Sequence, residues 1–336
     1  HFGFRGAPAA AAAPRRLMPF HGGLSLDGAC LLTWLLLGGC PPAARTHELD
    51  SQALAQQANA VLRLPLRTSG RYIVDAGGLR VRLACVNWYG AHLPQMAMNG
   101  LNHQRADNIA KTIVGYGFNC VRLPFSMDMV FRNLTHVPHP NKSLRANPEL
   151  MGKSPIEVFD AALQALTDRG LMVILNNHVS SSKWCCTPFD GEGLWYTAKY
   201  SVERWLDGLA WVARRYKSNP LVVGFDLRNE VRTSRLGSPT WGGGPPDNDW
   251  ARGAVEGATR VLGENGDMLI IISGLEFSIL LCDVPRAPVH QTVPSLRNRT
   301  VYTVHEYHWF NIHVSVGSVA KALSIGGLVV LAAALC

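Results

Sequence analysis

The sequence predicts an α/β fold of the (β/α)8-barrel type. Three observations carry this expectation. From about residue 70 short β-type runs alternate with longer helical patterns, the runs are apolar along their whole length, and polar residues gather where successive runs end. Continuously apolar strands separated by helices mean a parallel sheet covered on both faces. A doubly wound sheet shares that pattern, but no Gly-rich phosphate loop follows the first strand, and this lowers the dinucleotide-binding alternative. A barrel brings all strand ends to one mouth, where active sites of this architecture sit.

The elements follow in order. Residues 81–86 form a first strand, and a helix over 106–116 carries Ile109, Ile113 and Val114 as its apolar stripe. Residues 118–123 are the second strand. Ser154 and Pro155 open a helix whose face is Ile156, Phe159, Leu163 and Leu166, and Gly170 ends it. Residues 171–175 give a third strand, 201–216 a helix, and 221–227 a fourth strand. A helix over 250–262, a fifth strand over 268–272 and a sixth over 301–304 complete the series.

Composition sets outer bounds. Of 336 residues, 47% are hydrophobic and 17% charged, enough apolar material for a large core and too much for a disordered chain. The net charge of +8 reads as a basic solvated surface. Without zinc-finger spacing or a Lys/Arg run, nucleic acid is not expected as a partner. The protein is expected to be a monomer.

Residues 1–48 read as a leader. Arg15 and Arg16 precede an apolar run over 29–37, and the small residues Ala43 and Ala44 mark a cleavage site. The run is short for a bilayer crossing, so a cleaved signal is favoured over a signal anchor. Residues 49–69 read as a linker. Three sequons, beginning at Asn133, Asn141 and Asn298, fit a secreted glycoprotein. Beyond the leader stand Cys85, Cys120, Cys185, Cys186, Cys282 and Cys336, with no CxxC pair, which argues against a zinc or redox site. Disulfides are expected; the adjacent Cys185 and Cys186 are expected to pair with distant cysteines, because a disulfide between neighbours is strained.

The strand ends carry the chemistry. Asn87 and Trp88 follow the first strand, Arg122 lies in the second, Asn177 and His178 follow the third, Asn229 and Glu230 the fourth, and His305 and Tyr307 the sixth. One strand ending in Asn-Glu could be chance; five strands ending this way form a pattern. Leu227-Arg228-Asn229-Glu230, the second-strand Arg122, the third-strand His178 and His305-Glu306-Tyr307 resemble glycoside hydrolase family 5, the cellulase- and mannanase-type barrels. Val86-Asn87-Trp88, residues 117–123, Asn176-Asn177-His178, Trp184-Cys185-Cys186 and Val222-Val223-Gly224 are closest to its plant-type members. The resemblance covers residues 70–312.

It implies hydrolysis of β-linked polysaccharides or glycosides by a retaining pair of carboxyl groups, about 5–5.5 Å apart. Glu230 is then the general acid/base, a role that calls for a raised pKa. Asn229 holds the substrate hydroxyl, and Arg122 keeps the partner carboxylate ionised. His178, His305 and Tyr307 orient the carboxylates, and Trp88, Trp184, Trp195 and Trp309 are candidate sugar-stacking platforms. Each of these tryptophans also has an ordinary packing role open to it. No cofactor and no metal are implied; carbohydrate is the expected partner.

The resemblance breaks in one place. The family's nucleophile is a Glu ending the seventh strand, and no acidic residue follows Phe310 here. The barrel is therefore expected to be truncated after the sixth strand, with the nucleophile unknown. Glu276 follows the wrong strand, and Glu306 is expected to point away from the pocket. The apolar tail, 313–336, reads as the product of a mis-spliced gene, as a membrane helix or lipid-anchor signal, or as a segment filling the gap. A catalytically inactive carbohydrate-binding relative, held in or on a membrane, is the competing reading.

Overall fold

The computed structural model describes residues 62–187 and 189–306. Six parallel strands lie in strict chain order in one sheet: β3 (Cys85–Asn87), β4 (Cys120–Ser126), β5 (Met172–Val179), β6 (Val222–Asp226), β7 (Leu269–Ser273) and β8 (Thr300–Thr303). These are the six strands the apolar runs predict. Residues of the first and the last of them line one cavity, so the sheet curls as a barrel wall does. Tyr307, Trp309 and the tail over 313–336, like the leader, lie outside the described residues.

Alternation explains the unbroken apolar runs. Along β5, Val173 and Leu175 join the outer core shared with the helices, while Met172 and Ile174 join a separate inner cluster. On β7 Ile270 and Ile272 face outward in the same sense, and Leu269 and Ile271 inward. Successive side chains leave a strand on opposite sides, so a strand buried on both sides has no polar position until its end.

The outer layer is built by α1 (Ala106–Gly115), α2 (Pro155–Thr167), α3 (Val202–Arg215) and α4 (Trp250–Glu264). Ser154 caps α2 in a reciprocal capping box with Glu157, and Ser201 and Asp249 cap α3 and α4. Gly253 and Gly257 let α4 approach two indoles: a Cβ there would stand 2.8 Å from Trp195 and 2.7 Å from Trp205. Trp195 is therefore a core residue packed on Trp250, and it is not a sugar platform.

A hairpin that the sequence pattern does not signal closes the amino end of the interior. β1 (Arg67–Ser69) and β2 (Tyr72–Val74) pair antiparallel, and Leu66 and Ile73 enter the inner cluster. Thr68 N donates to Asn298 O at 2.8 Å, and Arg299 Nη1 to Leu66 O at 2.7 Å. Residues 66–69, expected as the end of a linker, are thus part of the fold. Cys85 and Cys120, register partners on β3 and β4, form a disulfide that closes a 35-residue separation; loop-closure entropy gives such a link about 4 kcal/mol. Asn133, Asn141 and Asn298 are all exposed. Among the described residues no helix is long and apolar enough to cross a membrane.

Candidate active site

At the carboxyl end of the strands the inner face turns polar around a cavity of about 850 Å³. β6 supplies its key residues. The strand closes at Asp226, and the chain turns sharply through Asn229 and Glu230, whose φ is 45°. A left-handed glutamate is strained backbone, a conformation that clusters at functional sites. The turn is held from three sides: Leu227 N donates to Ile271 O, Asn229 N to Asn177 O, and Arg232 Nη1 to Glu230 O.

The Glu230 carboxylate is buried at 6% exposure, and His305 Nδ1 lies 2.8 Å from its Oε1. Arg122 fans across the floor. Its Nε and Nη2 reach Asp226 Oδ2 at 2.8 and 2.7 Å, Nη2 donates to Asn229 Oδ1 at 2.9 Å, and Nη1 to Asn87 Oδ1 at 3.4 Å. Because Arg122 takes the Asn229 carbonyl oxygen, the amide nitrogen is the end left to face the cavity wall. Asp226 is the residue that the sequence reading misses. Its position in an apolar run conceals it, and only the known face of Gly224 and Asp226 reveals an inward carboxylate.

His178 lines the wall, with Nδ1 2.7 Å from Asn176 Oδ1 and its ring 4.3 Å from that of His92. Burial holds His178 well below the usual imidazole range, and the charges of His92 and Arg122 act in the same direction. His92 is lowered to about 4, by burial first and then by Arg122. Both rings are accordingly neutral near pH 7, so the positive charge at this wall belongs to Arg122.

The loop after β5 carries the aromatic edge. Trp184 is 65% exposed and lines the cavity beside Tyr89, the ring centroids 5.7 Å apart. Trp88, expected as a platform, is buried instead, with its indole N–H donating to Asn99 O at 2.8 Å. The alternation at the end of β3 gives the cavity to Asn87 and Tyr89. Glu306, expected to face away, is among the lining residues. Glu276 is not; it accepts from Thr233 Oγ1 at 2.9 Å.

Under this loop lies a buried ion network. Arg228, fully buried, pairs with Glu192 at 3.0 Å and donates to Asn177 Oδ1 and Ser180 Oγ. Glu192 accepts from Ser180 N and Ser181 N, and Asp190 from Arg232 at 2.7 Å. The loop is thereby fixed to the segment that carries Glu230.

Cys185 and Cys186 are joined to each other, which corrects the expectation of distant partners. With His178 they are the one convergence of metal-type ligand atoms among the described residues, within 4.8 Å of one another. A disulfide offers no thiolate, the form a metal binds.

A curled parallel sheet with a buried glutamate, an arginine-braced asparagine and aromatics at its strand ends defines a barrel of glycosidase type. The model of the cellulase family, glycosyl hydrolase family 5, matches residues 74–321, and the chain belongs to that family. A glycosyl hydrolase 5 family protein of Chamaecyparis obtusa is 38% identical over 267 residues, 75% of this chain and 45% of that one. An endoglucanase of Paenibacillus polymyxa is 31% identical over 264 residues, 73% and 62% of the two chains. The chain thus spans about half the length of the curated relatives it matches. Among solved structures, the catalytic domain of the major endoglucanase of Xanthomonas campestris pv. campestris superposes with a TM-score of 0.62 at 30% identity, over 70% of this chain and 67% of that one. An endocellulase of Pyrococcus horikoshii gives 0.64 at 25% identity, over 77% and 73%.

Proposed function

We propose that the chain hydrolyses β-linked glucans with retention of configuration, Glu230 serving as general acid/base. The observation that carries this reading is the buried Glu230 carboxyl, bonded to His305 beside the clamped Asn229 on the wall of the cavity. Glu230 protonates the leaving glycosidic oxygen while a second carboxylate, which none of the described residues supplies, bonds to the anomeric carbon. After departure of the aglycone Glu230 takes a proton from the water that displaces that carboxylate. Asn229 directs its amide N–H to a sugar hydroxyl. Trp184 and Tyr89 offer aromatic faces to pyranose rings. Glucan is preferred to mannan because the relatives in hand are named endoglucanases and an endocellulase. A further relative is named a major extracellular endoglucanase, which supports a secreted location for this protein.

A second reading, binding without turnover, is favoured by one observation. The carboxylates lining the cavity among the described residues are Asp226, Glu230 and Glu306. Asp226 is ion-paired with Arg122 and stands on the strand that leads into Glu230, on the acid's own side of the cavity. Neither it nor Glu306 occupies the place of the family's nucleophile at the end of a seventh strand.

Assays on soluble β-glucan and β-mannan, with cellotetraose binding measured alongside, separate the two. β-Glucan cleavage with a β-configured initial product supports hydrolysis. Cellotetraose binding without cleavage selects the second reading, and neither binding nor cleavage rejects both.

A further inference from the structure

The cavity wall carries a disulfide that glycoside hydrolysis does not use. Cys185 and Cys186 are half-buried and both line the cavity. Asn229 Nδ2 donates to both sulfurs, at 3.6 Å to Cys185 and 3.4 Å to Cys186, and Cys185 Sγ lies 3.5 Å from His178 Nε2. The Asn229 amide is thus clamped between the Arg122 guanidinium at one end and the disulfide at the other. The pair follows Trp184 directly, in a loop that the Arg228–Glu192 and Arg232–Asp190 pairs hold in place. An intact disulfide accepts weakly and donates nothing, so it holds the Asn229 N–H groups in place yet gives them up to a sugar hydroxyl, the stronger acceptor. Two thiols would add two weak donors and two rotatable groups at the same spot.

We propose that the Cys185–Cys186 disulfide is a positioning element of the sugar site, fixing the Asn229 amide and the His178 ring, and that sugar binding requires the pair to stay oxidised. This rests on the reading of the cavity as a β-glucan site. A dithiol reductant opens the pair in a balanced exchange. Its thiolate attacks one sulfur and the Cys185–Cys186 bond breaks; its second thiol resolves the mixed disulfide. Two electrons and two protons pass to the protein as two thiols, and the reductant leaves as its own disulfide.

The test is calorimetric titration of the full chain with cellotetraose in five states. These are the oxidised protein, the protein after dithiothreitol, the same sample reoxidised, and the double variant Cys185→Ser with Cys186→Ser, with and without dithiothreitol. Alkylation and peptide mapping establish which cysteines have opened. The affinity is expected to fall about tenfold on reduction and to return on reoxidation. The double variant is expected to start at the weaker affinity and to ignore the reductant, which separates this pair from the other disulfides. Unchanged affinity in protein whose Cys185 and Cys186 are alkylated overturns the inference, as does a variant that responds to reductant as strongly as the native chain. Should the variant fail to fold, the reduction and reoxidation arms decide alone. Oxidised protein that binds no cellotetraose rejects the β-glucan reading itself, a distinct result.

Discussion

The two ends of the barrel interior are built from the same strands and opposite chemistry. At the amino end Cys120, Met172, Val223, Leu269 and Val301 pack together, and Leu66 and Ile73 of the hairpin close the space. At the carboxyl end the inward positions are Asn87, Arg122, His178, Asp226 and Thr303, with Glu230 and His305 just beyond. No buried residue of the apolar cluster has a positive φ, whereas the polar end contains the left-handed Glu230 and the partnerless Oδ1 of Asp226. Strain and unsatisfied polar groups cost stability, so they persist only where the surroundings hold them. The difference assigns stability to one end and chemistry to the other.

Three changes break or sharpen that division. Glu192→Leu strips the counter-charge from fully buried Arg228 at the polar end and is expected to cost about 3–5 kcal/mol. Denaturant unfolding measures it; a loss under 1 kcal/mol would mean that the network holds nothing in place. Leu66→Ala at the apolar end is expected to cost about 2–5 kcal/mol through the cavity it leaves. Cellotetraose affinity should stay unchanged, and a loss of affinity would show that the two ends are not separable.

His92→Phe is the subtlest. The folded His92 titrates at about 4, below the usual 6.5, so on acidification the unfolded chain takes up its proton first. The stability contribution is therefore complete above pH 6.5 and is lost as pH falls toward 4, at most about 3 kcal/mol. The phenylalanine variant should show a flatter stability profile across that window. An acid limb identical to that of the native chain would exclude His92 as its source.

Much of this was legible in the sequence, for physical reasons that also explain the misses. Strands buried on both faces are continuous apolar runs, so β3 to β8 announce themselves. The polar residues ending them, from Arg122 to His305, cannot belong to such a core and so mark the mouth. The hairpin over 67–74 stays hidden because its strands are only three residues long and the first, Arg67–Ser69, is polar. Tyr89 takes the place expected of Trp88 because a one-residue change in alternation swaps the faces, and sequence does not fix that register. Asp226 hides among apolar neighbours, and the Cys185–Cys186 link depends on backbone geometry that spacing does not record.

The central claim is that Glu230 is the proton donor of a sugar-binding cavity, and Glu230→Gln tests it most directly. The amide keeps the size of the side chain and removes its titratable proton. Cellotetraose affinity should survive, while β-glucan hydrolysis falls by roughly 10²–10⁴-fold. Hydrolysis at the native rate in the glutamine variant would contradict the account.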